Sequence, residues 1–159
     1  MQGKPLLDRR VMLGLIGSGV AAFAGGSSAE EALPAMVVFR DPGCGCCHKW
    51  VQHLQTNGFT VTVNDVQRMK AVKAHFGVPV ELAACHTGEV GGYVIEGHVP
   101  AVAIKRLLAE KPKGRGLAVP GMPIGSPGME GGEPETYDVM LFGDDAPKSF
   151  GRYREDKPI

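Results

Sequence analysis

Between Met36 and Leu108 the apolar positions change period repeatedly, and each change marks an element. Met36-Val37-Val38-Phe39 is a short continuous apolar run halted by Asp41-Pro42-Gly43, the form of a buried strand. From Cys47 the spacing becomes three and four. Cys47, Trp50, Val51 and Leu54 fall on one face, and Asn57-Gly58 closes the run, which predicts an amphipathic helix. Phe59, Val61 and Val63 alternate with Thr60 and Thr62, which predicts a second strand. Val66, Met69, Val72 and Phe76 return to helical spacing, stopped by Gly77 and Pro79. From Ala84 to His98 two strand-like pieces flank Gly91-Gly92, a pair suited to a tight turn, and the second piece is Tyr93-Val94-Ile95. Pro100 suits the first turn of a third helix with Ala101, Ile104, Leu107 and Leu108 inward, ended by Pro112.

The predicted order is β-α-β-α-β-β-α. A right-handed crossover pairs the first two strands in parallel, the next two form a hairpin, and helices cover the sheet. The expected fold is therefore α/β and thioredoxin-like, a central mixed sheet flanked by helices. Beyond Lys113 the texture changes. Gly116 to Gly132 is rich in Gly and Pro without a period. Tyr137 to Phe142 then reads as a strand, Gly143-Asp144-Asp145 as a turn, and Phe150 to Arg154 as its hairpin partner. Residues 113–159 are thus expected to be a loop plus hairpin extension of a domain spanning 30–159. A loop that long in a compact domain is either functional or disordered.

The first 29 residues read as an address. Lys4, Arg9 and Arg10 precede an apolar run from Val11 to Ala24, and Ala22-Phe23-Ala24 fits a small-residue cleavage site, with a second after Ala29. The run is too short and too glycine-rich to span a membrane comfortably. Arg9-Arg10 followed by Val11-Met12-Leu13 is similar to a twin-arginine signal, with Asp8 and Gly14 departing from it; an ordinary Sec signal is the alternative. Both lead to the periplasm, with no stable membrane insertion once the segment is removed. The chain has 159 residues, with 17 Lys and Arg against 17 Asp and Glu, so it lacks the basic footprint of a nucleic-acid binder.

The chain has only 4 cysteines, too few for a disulfide scaffold. Three of them fall within Cys44-Gly45-Cys46-Cys47, at the end of the first strand and the start of the first helix. A helix N-terminus favours thiolate. Three thiolates in one turn repel each other, so protons, a disulfide or a metal must neutralise them. Cys44 and Cys47 form a C-x-x-C redox pair, in which Cys46 is a competing nucleophile. Zinc prefers four ligands at tetrahedral corners, which three crowded residues hardly build. Cu(I) is soft, takes thiolate and thioether, and accepts low coordination. Thiolates also bridge such ions, so more than one ion per chain is expected.

Cys85 stands where the third strand begins and can reach the cluster as a fourth sulfur, with His86 as a further metal or supporting ligand. Met122 and Met129, on an aperiodic loop, offer thioethers. Other residues read more simply. His48 and His53 are solvated faces of the first helix, His98 is a structural turn residue, Trp50 is core, and Met36, Met69 and Met140 fill apolar faces.

The segments Asp41-Pro42-Gly43-Cys44-Gly45-Cys46-Cys47-His48-Lys49-Trp50, Cys85-His86-Thr87, Gly91 to Pro100 and Gly121-Met122-Pro123 occur in that order. Together they are similar to a family of bacterial thioredoxin-like metal-binding proteins, one branch of which is the copper-resistance protein CopG. The resemblance runs from about Met36 to Tyr153. It implies a periplasmic protein of copper handling whose C-x-C-C cluster binds Cu(I), a role that falls here on Cys44, Cys46, Cys47 and Cys85. It also implies copper ions, and other periplasmic copper-handling proteins, as partners. Buffer, chaperone and copper-linked redox protein stay open. So do two alternatives: a thiol–disulfide oxidoreductase using Cys44 and Cys47, and a structural zinc domain.

Overall fold

Met36 and Val38 are fully buried while their neighbours are half-buried, so the first apolar run is a strand with one inward face, β1 (Met36–Arg40). The structure is a computed structural model that describes residues 32–159; the export signal expected at 1–29 lies outside the described residues. After β1 come helix α1 (Gly45–Thr56), β2 (Val61–Asp65), α2 (Met69–His75), a 3-10 turn (Val80–Leu82), β3 (Thr87–Val90) and β4 (Tyr93–Glu96). Helix α3 (Ala101–Glu110), β5 (Gly116–Ala118), β6 (Thr136–Phe142), β7 (Lys148–Arg154) and β8 (Lys157–Pro158) follow. Among the described residues the strands form one eight-stranded mixed sheet in the order β2-β1-β3-β4-β5-β6-β7-β8. No helix there is long and apolar enough to cross a membrane.

Period-two alternation sends side chains to two cores. Met36, Val38, Val90, Ile95 and Leu117 face Trp50, Val51 and Leu54 of α1 and Ile104 and Leu107 of α3. Val94 and Ala118 point the other way, onto Val78, Leu82 and Phe142, with half-buried Phe76 and Met140 against them. Helix α2 buries no residue fully and lies lightly on this second face. Its Phe76 cap meets Phe39 with ring centroids 5.4 Å apart.

The mixed sheet flanked by helices agrees with the pattern of the sequence, and three details depart from it. Val66 was expected to open α2, yet its N–H donates to the Arg40 carbonyl and continues the β1–β2 ladder past Asp65, and the helix starts at Met69. Met69 is consequently half-buried rather than core. The aperiodic segment after Lys113 is not all loop, because Gly116-Leu117-Ala118 pairs in parallel with β4 and antiparallel with β6. Gly116 makes this possible, since any Cβ there would collide with the Val94 carbonyl. The hairpin β6–β7 is then continuous with the main sheet.

Register brings one end of the sheet together. Phe39 pairs with Thr87, Thr87 with Glu96, and Glu96 with Ala118. The chain leaves β1 toward Cys44, enters β3 from Cys85, leaves β4 toward His98 and leaves β5 toward the Gly/Pro loop, all at this end.

Candidate metal centre

The turn before α1 is built by Asp41. Its Oδ1 accepts from the Gly43 N–H at 2.8 Å, and its carbonyl accepts from the Cys44 N–H at 3.1 Å. Cys44 is the N-cap of α1, and its Sγ accepts from the Cys47 N–H at 3.3 Å. Cys44 and Cys47 are joined in a disulfide, their Cα atoms 5.3 Å apart. Cys46 and Cys85 are free thiols. The Cys46 Sγ lies 3.5 Å from that of Cys44 and 3.8 Å from that of Cys85. All four sulfurs lie within 4.8 Å of one another. The C-x-x-C pair and the distal cysteine therefore meet in one cluster at the helix N-terminus.

Cys85 belongs to a second group as well. Its Sγ, the His86 Nδ1 and the His98 Nε2 also lie within 4.8 Å of one another. The sulfur is 3.3 Å from His86 Nδ1 and 3.2 Å from His98 Nε2. Both imidazoles are fully buried. His86 Nε2–H donates to the Gly97 carbonyl at 2.9 Å, and His98 Nδ1–H donates to the Pro127 carbonyl at 2.8 Å. A carbonyl only accepts, so each contact assigns the tautomer and turns the remaining nitrogen lone pair toward Cys85.

Burial, reinforced by the neighbouring His98, holds His86 well below the ordinary histidine range, and burial also lowers His98 against the opposing pull of Pro127. Both rings are neutral at physiological pH. Burial first, and then the adjacent Cys46, push the Cys85 thiol up to about 12. One S–H proton serves only one of the two lone pairs at a time. A soft cation in place of that proton would satisfy both nitrogens and the sulfur together. The ring of Trp50 backs His86 with centroids 4.2 Å apart, and its indole N–H is engaged by the Val99 carbonyl at 2.9 Å.

The Gly/Pro loop reaches this site through its backbone. Gly128, at φ +93°, is packed so closely that a Cβ would lie 2.7 Å from the Cys46 carbonyl oxygen and 3.2 Å from His98 Nδ1. Ser126, Pro127 and Gly128 are buried, Met129 is half-buried, and the Met122 side chain is 52% exposed. The segment that covers the cluster thus lies between Met122 and Met129.

Among the histidines, His48 is exposed and contacts Arg40 and Gln52. His53 is not a solvated residue: its Nε2 accepts from the Ala101 N–H at 3.1 Å and bridges α1 to the first turn of α3. His98, expected to be a structural turn residue, faces Cys85. A signal for it was present in the sequence. A hairpin centred on Gly91-Gly92 pairs Val90 with Tyr93 and Thr87 with Glu96. Two residues further along, the same register sets Cys85 opposite His98.

A family model described as a protein of unknown function, DUF411, matches residues 82–129, a span holding Cys85, His86, His98 and the covering loop. No curated protein matches the chain. Two solved structures do, described as copper resistance protein copG, form 1 and form 2. Each is 44% identical, with TM-scores of 0.71 and 0.72, over 76% of this chain and 98% of theirs. At that identity and coverage the chain belongs to the CopG-like family of copper-resistance proteins.

Proposed function

We propose that this chain is an exported copper-handling protein that binds Cu(I), more than one ion per chain, through Cys44, Cys46, Cys47 and Cys85. His86 and His98 complete the site around Cys85. The observation that carries this reading is the double membership of Cys85, whose sulfur lies among three cysteine sulfurs on one side and two imidazole lone pairs on the other. Such a set of soft and borderline donors, four sulfurs and two imidazoles, exceeds what one tetrahedral ion uses and suits bridging of several monovalent ions. The copper-resistance relatives support the same reading. We read the unit from β1 to α3 as thioredoxin-like, residues 1–29 as the export signal, and the periplasm as the compartment.

Use of all four sulfurs requires reduction of the Cys44–Cys47 disulfide. Two electrons and two protons convert it to two thiols, while a dithiol reductant is oxidised to its own disulfide. Each thiol then loses its proton as a cation binds. Met122 and Met129 remain thioether donors at the edges of the covering loop.

Anaerobic titration of the reduced chain with Cu(I), with metal counted per chain and zinc in competition, tests the proposal. More than one Cu(I) retained against zinc is the expected result. A single ion, with zinc preferred, overturns it in favour of a structural zinc domain. The Cys44–Cys47 disulfide also favours a second reading, a thiol–disulfide oxidoreductase. Catalytic reduction of a protein disulfide by the copper-free chain, abolished by Cys47→Ser, would establish that activity.

A further inference from the structure

We propose that Glu96, together with Lys73, is a positioning device for the Cys85-His86 dipeptide, a role that rests on the metal site proposed above. Glu96 is fully buried at the end of β4. Its Oε1 accepts from Lys73 Nζ at 2.5 Å and from the Ala84 N–H at 2.6 Å, and its Oε2 accepts from the Thr87 hydroxyl at 2.7 Å. Lys73 Nζ also donates to the Thr87 Oγ1 at 3.1 Å. Ala84 precedes Cys85-His86 and Thr87 follows it, so one carboxylate grips both ends of the dipeptide. Between them the backbone is neither helix nor strand. Its other anchors come from one residue of the neighbouring strand end: the Gly97 N–H donates to the His86 carbonyl at 3.1 Å, and the Gly97 carbonyl holds the ring.

The cost of this arrangement shows what it is for. Burying a carboxylate and an ammonium group removes both from water, and a buried ion pair is often no more stabilising than apolar residues of the same volume. An apolar alternative was available, because strand alternation places Glu96 on the face of Val94, which packs with Val78, Leu82 and Phe142. A leucine there would extend that core. It would not bind Ala84 and Thr87. Packing is non-directional, whereas hydrogen bonds to a fixed carboxylate set the position of a backbone segment. The hydrogen bonds to Glu96 supply geometry at the irregular segment whose sulfur and imidazole converge with groups from α1 and from the loop after β4, and Lys73 balances the buried charge.

Two variants of the full reduced chain, both lacking the charges, separate geometry from packing. K73M/E96L fills the space with apolar atoms. K73M/E96Q retains an acceptor for the Ala84 N–H and a polar partner for Thr87. Melting temperature, Cu(I) affinity by chelator competition, and the nitrogen resonances and Nε2–H exchange of His86 in the metal-free chain are compared. The expected result is that both variants fold, and that K73M/E96L loses Cu(I) affinity by tenfold or more, with faster exchange of the His86 proton. K73M/E96Q stays within about threefold of the parent on the same second-sphere scale.

Equal affinity and equal His86 resonances in the two variants overturn the proposal. Unfolding of K73M/E96L overturns it too, because the polar groups at this position would then be holding the domain and not the dipeptide. The His86 readout needs no copper. A parent chain that fails to bind Cu(I) therefore defeats the proposed function while the positioning claim is still decided.

Discussion

Replacing Gly128 by alanine tests whether the loop acts on the site through its backbone. The residue stands at φ +93°, where an L side chain is strained by about 1–2 kcal/mol. The new methyl would also lie 2.7 Å from the Cys46 carbonyl oxygen and 3.1 Å from the Trp50 nitrogen. Both are backbone atoms of α1, so the helix cannot yield and the loop must lift. Lifting it withdraws the Pro127 carbonyl from His98 Nδ1–H, now at 2.8 Å. A buried donor left without an acceptor costs about 1–3 kcal/mol.

The two contributions total about 2–5 kcal/mol, or roughly 6–15 °C in melting temperature at about 3 °C per kcal/mol for a domain of this size. With its tautomer no longer held, His98 presents its Nε2 lone pair to Cys85 only part of the time. Loss of such an outer partner typically lowers metal affinity about 10–100-fold. Thermal unfolding by circular dichroism and Cu(I) competition on the anaerobic reduced chain measure the two effects. A melting temperature within about 2 °C of the parent, with the His98 nitrogen resonances unmoved, would refute the reasoning about close approach and tautomer alike.

M122L/M129L keeps side-chain volume and removes both thioethers; Cu(I) stoichiometry and affinity should fall if the sulfurs are ligands, and identical titrations would leave the loop's part to Pro127 and Gly128. Burial lowers the pKa of His53, partly opposed by Asp156 and Glu130, and also lowers those of His86 and His98, so the unfolded chain binds these protons more tightly. Their contribution to stability is therefore full above the ordinary value of 6.5 and is lost as pH falls below it toward the depressed folded values. His53→Gln, assayed by urea unfolding between pH 7.5 and pH 5, should flatten that slope, and an unchanged slope would exclude His53 as a contributor. With its thiol pushed up to about 12, Cys85 in the metal-free, disulfide-bonded chain should be slow to alkylate. At pH 8 its rate should be on the order of 50-fold below that of an ordinary thiol, after allowing for the greater nucleophilicity of the less acidic thiolate. Quantitative peptide mapping after timed alkylation measures this, and reaction at the ordinary rate would contradict the burial argument.

Local pattern determined much of this protein. The apolar runs at Met36 and Tyr93, the three-and-four spacing from Cys47 and the helix after Pro100 are legible because burial of one face imposes its own period on the chain. The C-x-C-C turn was legible too, since its cysteines are neighbours in sequence, and the element order carried Cys85 to the same end of the sheet. Tertiary structure decided the rest. Gly116-Leu117-Ala118 is too short to display a period, and it becomes a strand only because β4 and β6 offer it partners on both sides. Glu96 occupies a position where strand alternation calls for an apolar residue, and its partners Lys73, Ala84 and Thr87 meet it only in the folded chain. Register counted from Gly91-Gly92 sets His98 opposite Cys85, but the contact between ring and sulfur is made only in the folded chain. Which of its nitrogens carries the proton is settled by a carbonyl at Pro127, 29 residues further along the chain. Hydrophobic period is a property of neighbours in sequence; a lone pair's direction depends on groups that meet only after the chain has folded.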